Sequence, residues 1–118
     1  MRYLHQSGIC HRDISLSNII YDHKSAKIKL IDFNVSKLIG HKGKMVTHTG
    51  TDHFKSPELF TQYSYDFSRD VWAIGVVIFS LVAKKLPFDD ENQYLDGIIH
   101  KIQFEPPDPP IHSLPCSQ

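Results

Sequence analysis

Two carboxylates and one carboxamide in the first third of this 118-residue chain, Asp13, Asp32 and Asn18, are residue types that can hold a hard cation and take up a proton. Their spacing suggests how they could meet. Asn18-Ile19-Ile20-Tyr21 and Ile28-Lys29-Leu30-Ile31 are short runs rich in strand formers, and the polar stretch Asp22 to Lys27 suits a hairpin connection. In an antiparallel hairpin the residue opening one strand lies beside the residue closing the other. That geometry predicts Asn18 next to Asp32, with Asp13 delivered to the same end. Oxygen ligands and a base gathered in this way suit Mg²⁺ bound partly through substrate phosphates, and hence phosphoryl transfer. A solvated hairpin end carries the same residue types, so the trio alone does not choose between the two readings.

Such a cluster needs elements that hold it in place. Phe33 to Lys55 has no helical or strand periodicity and reads as one long irregular segment, of the length that usually serves function or stays disordered. Ser68 is placed to cap the next helix, with Asp70 in its first turn, where a carboxylate complements the macrodipole. That helix is expected to run to about Ala83. From Val71 to Ala83 eleven of thirteen residues are apolar, so it reads as a helix buried all round, the central post of the core. It is shorter than the roughly 20 residues that span a bilayer. Glu91 to Ile102 reads as a further amphipathic helix, after which Pro106, Pro107, Pro109, Pro110 and Pro115 forbid regular structure.

Composition narrows the class. A hydrophobic fraction of 41% in a chain of this length argues for one packed domain. Thirteen basic and thirteen acidic residues cancel, which points away from nucleic-acid or membrane partners and leaves any electrostatic role local. Cys10 and Cys116 have no metal-type spacing and suit free thiols in a reducing compartment, implying an intracellular, cytoplasmic protein. His41, His48 and His53 lack zinc-ligand spacing and read as exposed loop residues.

The wording around the trio is more specific than its geometry. His11-Arg12-Asp13 followed by Asn18 resembles the catalytic loop of eukaryotic protein kinases, and Asp32-Phe33-Asn34 stands where that family's metal-binding tripeptide belongs. Ser56-Pro57-Glu58, preceded by Thr49-Gly50-Thr51, resembles the Ala-Pro-Glu element, and Asp70-Val71-Trp72 with Gly75 the start of the central helix. The resemblance covers roughly residues 1 to 105 and is most like the calcium/calmodulin-dependent group of the serine/threonine kinases. It implies a mainly α fold with a small β-hairpin, a kinase-like C-lobe over residues 1–107 followed by an irregular Pro-rich tail over 108–118. It also implies ATP and Mg²⁺ as cofactors. Asp13 would accept the proton of a substrate hydroxyl, Asn18 and Asp32 would hold the metal, and Ile20 would lie under adenine or else serve as ordinary hairpin core. His11 and Phe33 would stack in a spine resting on Asp70. Thr51 would bond Asp13 and mark hydroxyl-residue substrates, Glu58 would pair with a later arginine, and Arg12 would meet a phosphate carried by Thr47 or Thr49.

Two departures qualify the resemblance. The lysine expected two residues after the catalytic aspartate is Ser15, and losing one preorganised charge from a phosphoryl-transfer transition state commonly costs on the order of 3 kcal/mol, about a hundredfold in rate. Asn34 replaces the usual glycine, a milder change because Asn tolerates left-handed backbone. No Gly-rich loop and no strand lysine for the phosphates occurs within these residues, so the chain by itself is expected to be inactive. The rival expectations are a non-catalytic, pseudokinase-like binding module and a truncated gene product, with protein substrate or docking partner unidentified.

Overall fold

The computed structural model describes residues 1–39, 44–46, 49–61 and 65–88. The expected helix at Glu91 to Ile102, the Pro-rich tail, Cys116, His41, His48 and Thr47 lie outside the described residues.

In chain order the elements are α1 (Arg2–Gln6), β1 (Ile9–Cys10), a 3-10 turn (Leu16–Asn18), β2 (Ile19–Asp22), β3 (Lys27–Leu30), β4 (Lys37–Leu38), a second 3-10 turn (Asp52–Phe54), α2 (Glu58–Thr61) and α3 (Ser68–Ala83). The predicted hairpin is present as the antiparallel pair β2–β3, with Ile19 opposite Leu30 and Asp22 opposite Lys27. At its connection Asp22 accepts from the Lys24 backbone N–H at 3.0 Å and from the Ser25 hydroxyl at 2.5 Å, an Asx-type closure that favours the turn. The register corrects the expected end pairing by one residue. Asn18 lies opposite Ile31, whose N–H donates to the Asn18 carbonyl at 2.9 Å, and Asp32 follows just beyond.

The segment after Phe33 is more ordered than its sequence suggests. β4 pairs antiparallel with β1, Ile9 opposite Leu38 and Cys10 opposite Lys37, and Met45 forms a bridge with Tyr65. These pieces have too few residues to show a period. Burial selects them: Cys10, Ile39, Met45, Leu59 and Tyr65 form one apolar cluster, with Phe60 and Phe67 packed against it. A second cluster of Ile14, Ala73 and Val77, joined by Met1, Ile19, Phe54 and Ile74, ties the loop after β1 to α3.

Helix α3 has the predicted span and differs from prediction in two respects. Ser68 is not its cap; the N-cap position is Phe67, Asp66 accepts from the Ser68 N–H at 2.8 Å, and the Ser68 hydroxyl donates to Glu58 at 3.2 Å. The bond from the Ser68 backbone N–H, first, and the nearby Ser68 side chain hold the Asp66 carboxyl below its usual range. Nor is the helix buried all round. Ala73, Val76, Val77 and Ser80 face inward at helical spacing, whereas Val71, Ile78 and Leu81 are 60%, 57% and 64% exposed. The helix ends at Lys84, which takes a left-handed φ of 57° where glycine is the commoner choice. Among the described residues no helix is long and apolar enough to cross a membrane.

This asymmetry predicts unequal costs for the same substitution. Leu59→Ala, at a fully buried position, should cost about 2–5 kcal/mol, and Leu81→Ala on the open face no more than about 0.5 kcal/mol. Urea denaturation of the two variants against the parent chain measures the difference.

Candidate active site

The loop that carries Asp13 hangs from the first turn of α3. Asp70 is 1% exposed, and its carboxylate meets three donors at 2.9 Å: the backbone N–H groups of His11 and Arg12 and the Nε2 of His5. Arg69 precedes it and donates Nη2 to the carbonyls of Arg12 at 2.7 Å and Thr49 at 2.6 Å. Both backbone polar groups of Arg12 are therefore gripped by the helix start. The grip matters because Arg12 has φ 71°, a left-handed conformation that costs an L-residue roughly 1–2 kcal/mol.

His11 is completely buried, and its hydrogen bonds define its tautomer. Nε2–H donates to the Ile31 carbonyl at 3.1 Å, and Nδ1 accepts from the Asp13 N–H at 3.3 Å. The ring meets Phe33 edge-on with centroids 4.6 Å apart, so the stack expected from the sequence lies between the Asp13 loop and the end of the hairpin. Arg12 Nε donates to the Val35 carbonyl, and the Ser36 hydroxyl donates to the His11 carbonyl, joining the same two segments again.

Asp13 receives three donors. Its Oδ1 accepts from the Thr51 N–H and the Thr51 hydroxyl, each at 2.8 Å, and its Oδ2 accepts from Asn18 Nδ2 at 3.1 Å. Asn18 also donates Nδ2 to the Asp13 carbonyl at 2.8 Å, so its amide oxygen remains as an acceptor. Asp32 is exposed at φ 61°, with Oδ1 accepting from the Asn34 N–H at 3.2 Å. Asp is among the residues that tolerate this backbone. No group of three or more His, Cys, Asp or Glu side chains is placed to hold a metal among the described residues. The donor set fits Mg²⁺ all the same, since one carboxylate, one amide oxygen, phosphates and water are its usual partners.

The remaining expected residues are placed as follows. Ile20 is 47% exposed on β2, which removes the hairpin-core reading for it. Ser15 is 1% exposed, its hydroxyl 2.8 Å from that of Ser17. Glu58 meets Ser68. Thr49 is partly buried, and its hydroxyl has no partner among the described residues. His53 is partly buried rather than exposed.

Sequence reasoning missed Arg69, His5 and the tight fit of Gly50. Gly50 has φ 105°, and a Cβ there would stand 2.6 Å from the Arg12 carbonyl oxygen, so any side chain would push the loops apart. Arg69 did leave a signal. A cation in the first turn of a helix opposes the macrodipole, so its presence asks for another use.

A family model described as "Protein kinase domain" matches residues 1–114. The chain is 40% identical over 93 residues to "Protein kinase kin1" of Schizosaccharomyces pombe, which is 78% of this chain and 10% of that protein. It is 37% identical over 109 residues to "Serine/threonine-protein kinase GIN4" of Saccharomyces cerevisiae, 89% of this chain and 10% of that protein. "Probable serine/threonine-protein kinase KCC4" of the same yeast is 36% identical over 109 residues, with the same coverage. The chain thus spans about a tenth of the length of the curated relatives it matches.

Cys10 carries a pH dependence. Burial first, with the Asp70 carboxylate adding, pushes its thiol up from 9.0 to about 12. The folded state then keeps a proton that the unfolded chain releases between pH 9.0 and about 12. The thiol's contribution is fully present below that window and is lost as pH rises through it, at up to about 1.4 kcal/mol per pH unit. Urea melts at steps through the window should show the stability gap between the parent and Cys10→Ala narrowing as pH rises. A gap independent of pH would contradict the assignment.

Proposed function

The chain belongs to the protein kinase domain family, with relatives of the serine/threonine type, and from that premise we propose that it forms the catalytic-loop part of a C-lobe that transfers phosphate from ATP to protein hydroxyls. The observation that carries this reading is the setting of Asp13. A carboxylate held by Thr51 on one oxygen and Asn18 on the other is aimed and cannot rotate freely, as a base for a substrate hydroxyl must be. Thr51 acts as a positioning residue, and Gly50 lets its segment approach closely. Asn18, through its amide oxygen, and Asp32 would hold Mg²⁺, which when bound supplies charge stabilisation to the transferred phosphoryl group. His11 and Phe33 keep the Asp32 segment in step with the Asp13 loop. Ile20 offers an exposed apolar surface on the strand next to Asn18 that suits a flat base. Arg12 and Thr49 would be where a phosphate on the loop acts, together with Thr47. We place the chain with the calcium/calmodulin-dependent group, inside the cell, on the wording of its motifs and its thiols.

A second reading, a non-catalytic binding module, is favoured by one observation. Ser15 is buried against Ser17, so the position two residues after Asp13 contributes no positive charge.

A chimera separates the two. The part of kin1 that precedes the matched region is joined to Met1, and phosphate transfer from ATP to a serine peptide is followed in steady state. On the kinase reading transfer is slow but measurable and is abolished by Asp13→Asn. Ser15→Lys should then raise kcat by about a hundredfold and leave the KM for ATP within about threefold, because a charge aimed at the moving phosphoryl group acts mainly in the transition state. No transfer from either the folded chimera or its Ser15→Lys variant would overturn the kinase reading.

A further inference from the structure

Helix α3 supports the Asp13 loop with one side only. Asp70, Ala73, Val76, Val77 and Ser80 are buried, whereas Val71, Gly75, Ile78 and Val82 are all exposed. Their spacing sets these four on one stripe about three turns long, with Leu81 along its edge. Single exposed apolar residues are ordinary on a protein surface. A continuous apolar stripe on one helix marks a surface suited to contact with another element.

Gly75 lies in the middle of the stripe and makes a hole in it. A Cβ added there would meet no side chain or neighbouring segment among the described residues within 4 Å. Three positions on, Ile78 projects as a knob that such a hole can take. The two ends of the helix differ in charge: Asp66 stands before the first turn and Lys84 after the last, and both are exposed. The stripe therefore fits a helix with a bulky residue opposite Gly75, a small one opposite Ile78, a cation near Asp66 and an anion near Lys84. α3 itself, read in the opposite direction, has all four. When two antiparallel copies cross between positions 76 and 77, Ile78 of each falls opposite Gly75 of the other, and Val71 of each opposite Val82 of the other. Asp66 of each copy then lies toward Lys84 of the other, and the helix dipoles are set head to tail. Parallel copies would oppose Gly75 to Gly75 and bring like charges together at both ends.

We propose that this stripe is an interface with a second copy of the chain, the two α3 helices packing antiparallel about a twofold axis. Such a contact is isologous: the same patch serves both copies, and each Gly75–Ile78 fit is made twice. One helix pair is a small interface, so the association is expected in the range of about 10–100 µM. It draws nothing from the reading of Asp13 as a base. Its consequence for the site is indirect, because pairing would stabilise the helix whose first turn holds the Asp13 loop through Asp70.

Sedimentation equilibrium of the 118-residue chain, from about 1 to 500 µM, reads the association directly. Gly75→Phe is the decisive variant. Within one chain the new ring enters open space and glycine's helix penalty is removed, so the fold survives, as circular dichroism and melting of the dilute protein will check. Between copies the ring fills the hole that Ile78 needs, and the dissociation constant should rise about tenfold or more. Gly75→Ile alone should act in the same way. Combined with Ile78→Ala it exchanges knob and hole, and association should return to within about threefold of the parent. That rescue is specific to antiparallel self-pairing, since only there does position 75 face position 78. A chain that stays monomeric throughout, a dimer that Gly75→Phe leaves intact, or a folded double variant that fails to re-associate overturns the inference. A monomer whose melting temperature falls in Gly75→Phe would place a segment of the same chain on the stripe, and overturns it as well.

Discussion

The Asp70 carboxylate is the contact on which the site depends. A charge withdrawn from water at this depth is tolerated only when its oxygens are met, and here they are met by His11 N–H, Arg12 N–H and His5. Hydrogen bonds to a charged group contribute about 1.5–3 kcal/mol each, enough to hold Arg12 in a left-handed conformation it would otherwise leave. The carboxylate sits in the first turn of α3, where the macrodipole favours negative charge, so the element that presents it also stabilises it. Arg69 closes the grip from the carbonyl side, and His5 brings in α1, its ring also tilted against Phe67 at 4.8 Å.

From this anchor the geometry passes outward in short steps. Arg12 sets the direction of Asp13, and Gly50 lies so close to the Arg12 carbonyl that Thr51 reaches Asp13 with both its N–H and its hydroxyl. Asn18 fixes the other carboxylate oxygen, and through its carbonyl and Ile31 it ties Asp13 to the hairpin that leads to Asp32. Arg69 bonds Thr49 as well as Arg12, so one side chain spans both loops. A charge at Asp70 and a missing side chain at Gly50 therefore serve the same end, two loops held within hydrogen-bonding distance across the Asp13 carboxylate.

Much of this was legible in the sequence where a residue pattern is long or its chemistry local. The β2–β3 hairpin follows from two strand-forming runs around a polar turn, and α3 from the thirteen mostly apolar residues Val71 to Ala83, a run too long for a typical strand. The one-residue register error arose because Asn18 ends a 3-10 turn and precedes β2, which no propensity reports. β1, β4, α1 and α2 are two to five residues long, and their existence is decided by partners distant in the chain. The open face of α3 escaped notice because Val71, Ile78 and Leu81 are as apolar as the buried Val76 and Val77; composition cannot tell which side meets a neighbour. Asp13, Asn18 and Asp32 were marked by type and spacing. His5 and Arg69 were not, because their partners are a carboxylate and carbonyls as many as 65 positions away.

The central claim is that the Asp70 carboxylate holds the Asp13 loop through the amides of His11 and Arg12, and Asp70→Asn tests it with nearly unchanged shape. The amide side chain keeps one acceptor and turns a donor toward a site where only donors face it. Hydrogen exchange resolved to single amides should show His11 and Arg12 losing at least about tenfold in protection, roughly 1.4 kcal/mol, while the amides of α3 keep theirs. Undiminished protection at both amides, in a variant whose helix remains intact, would contradict the account.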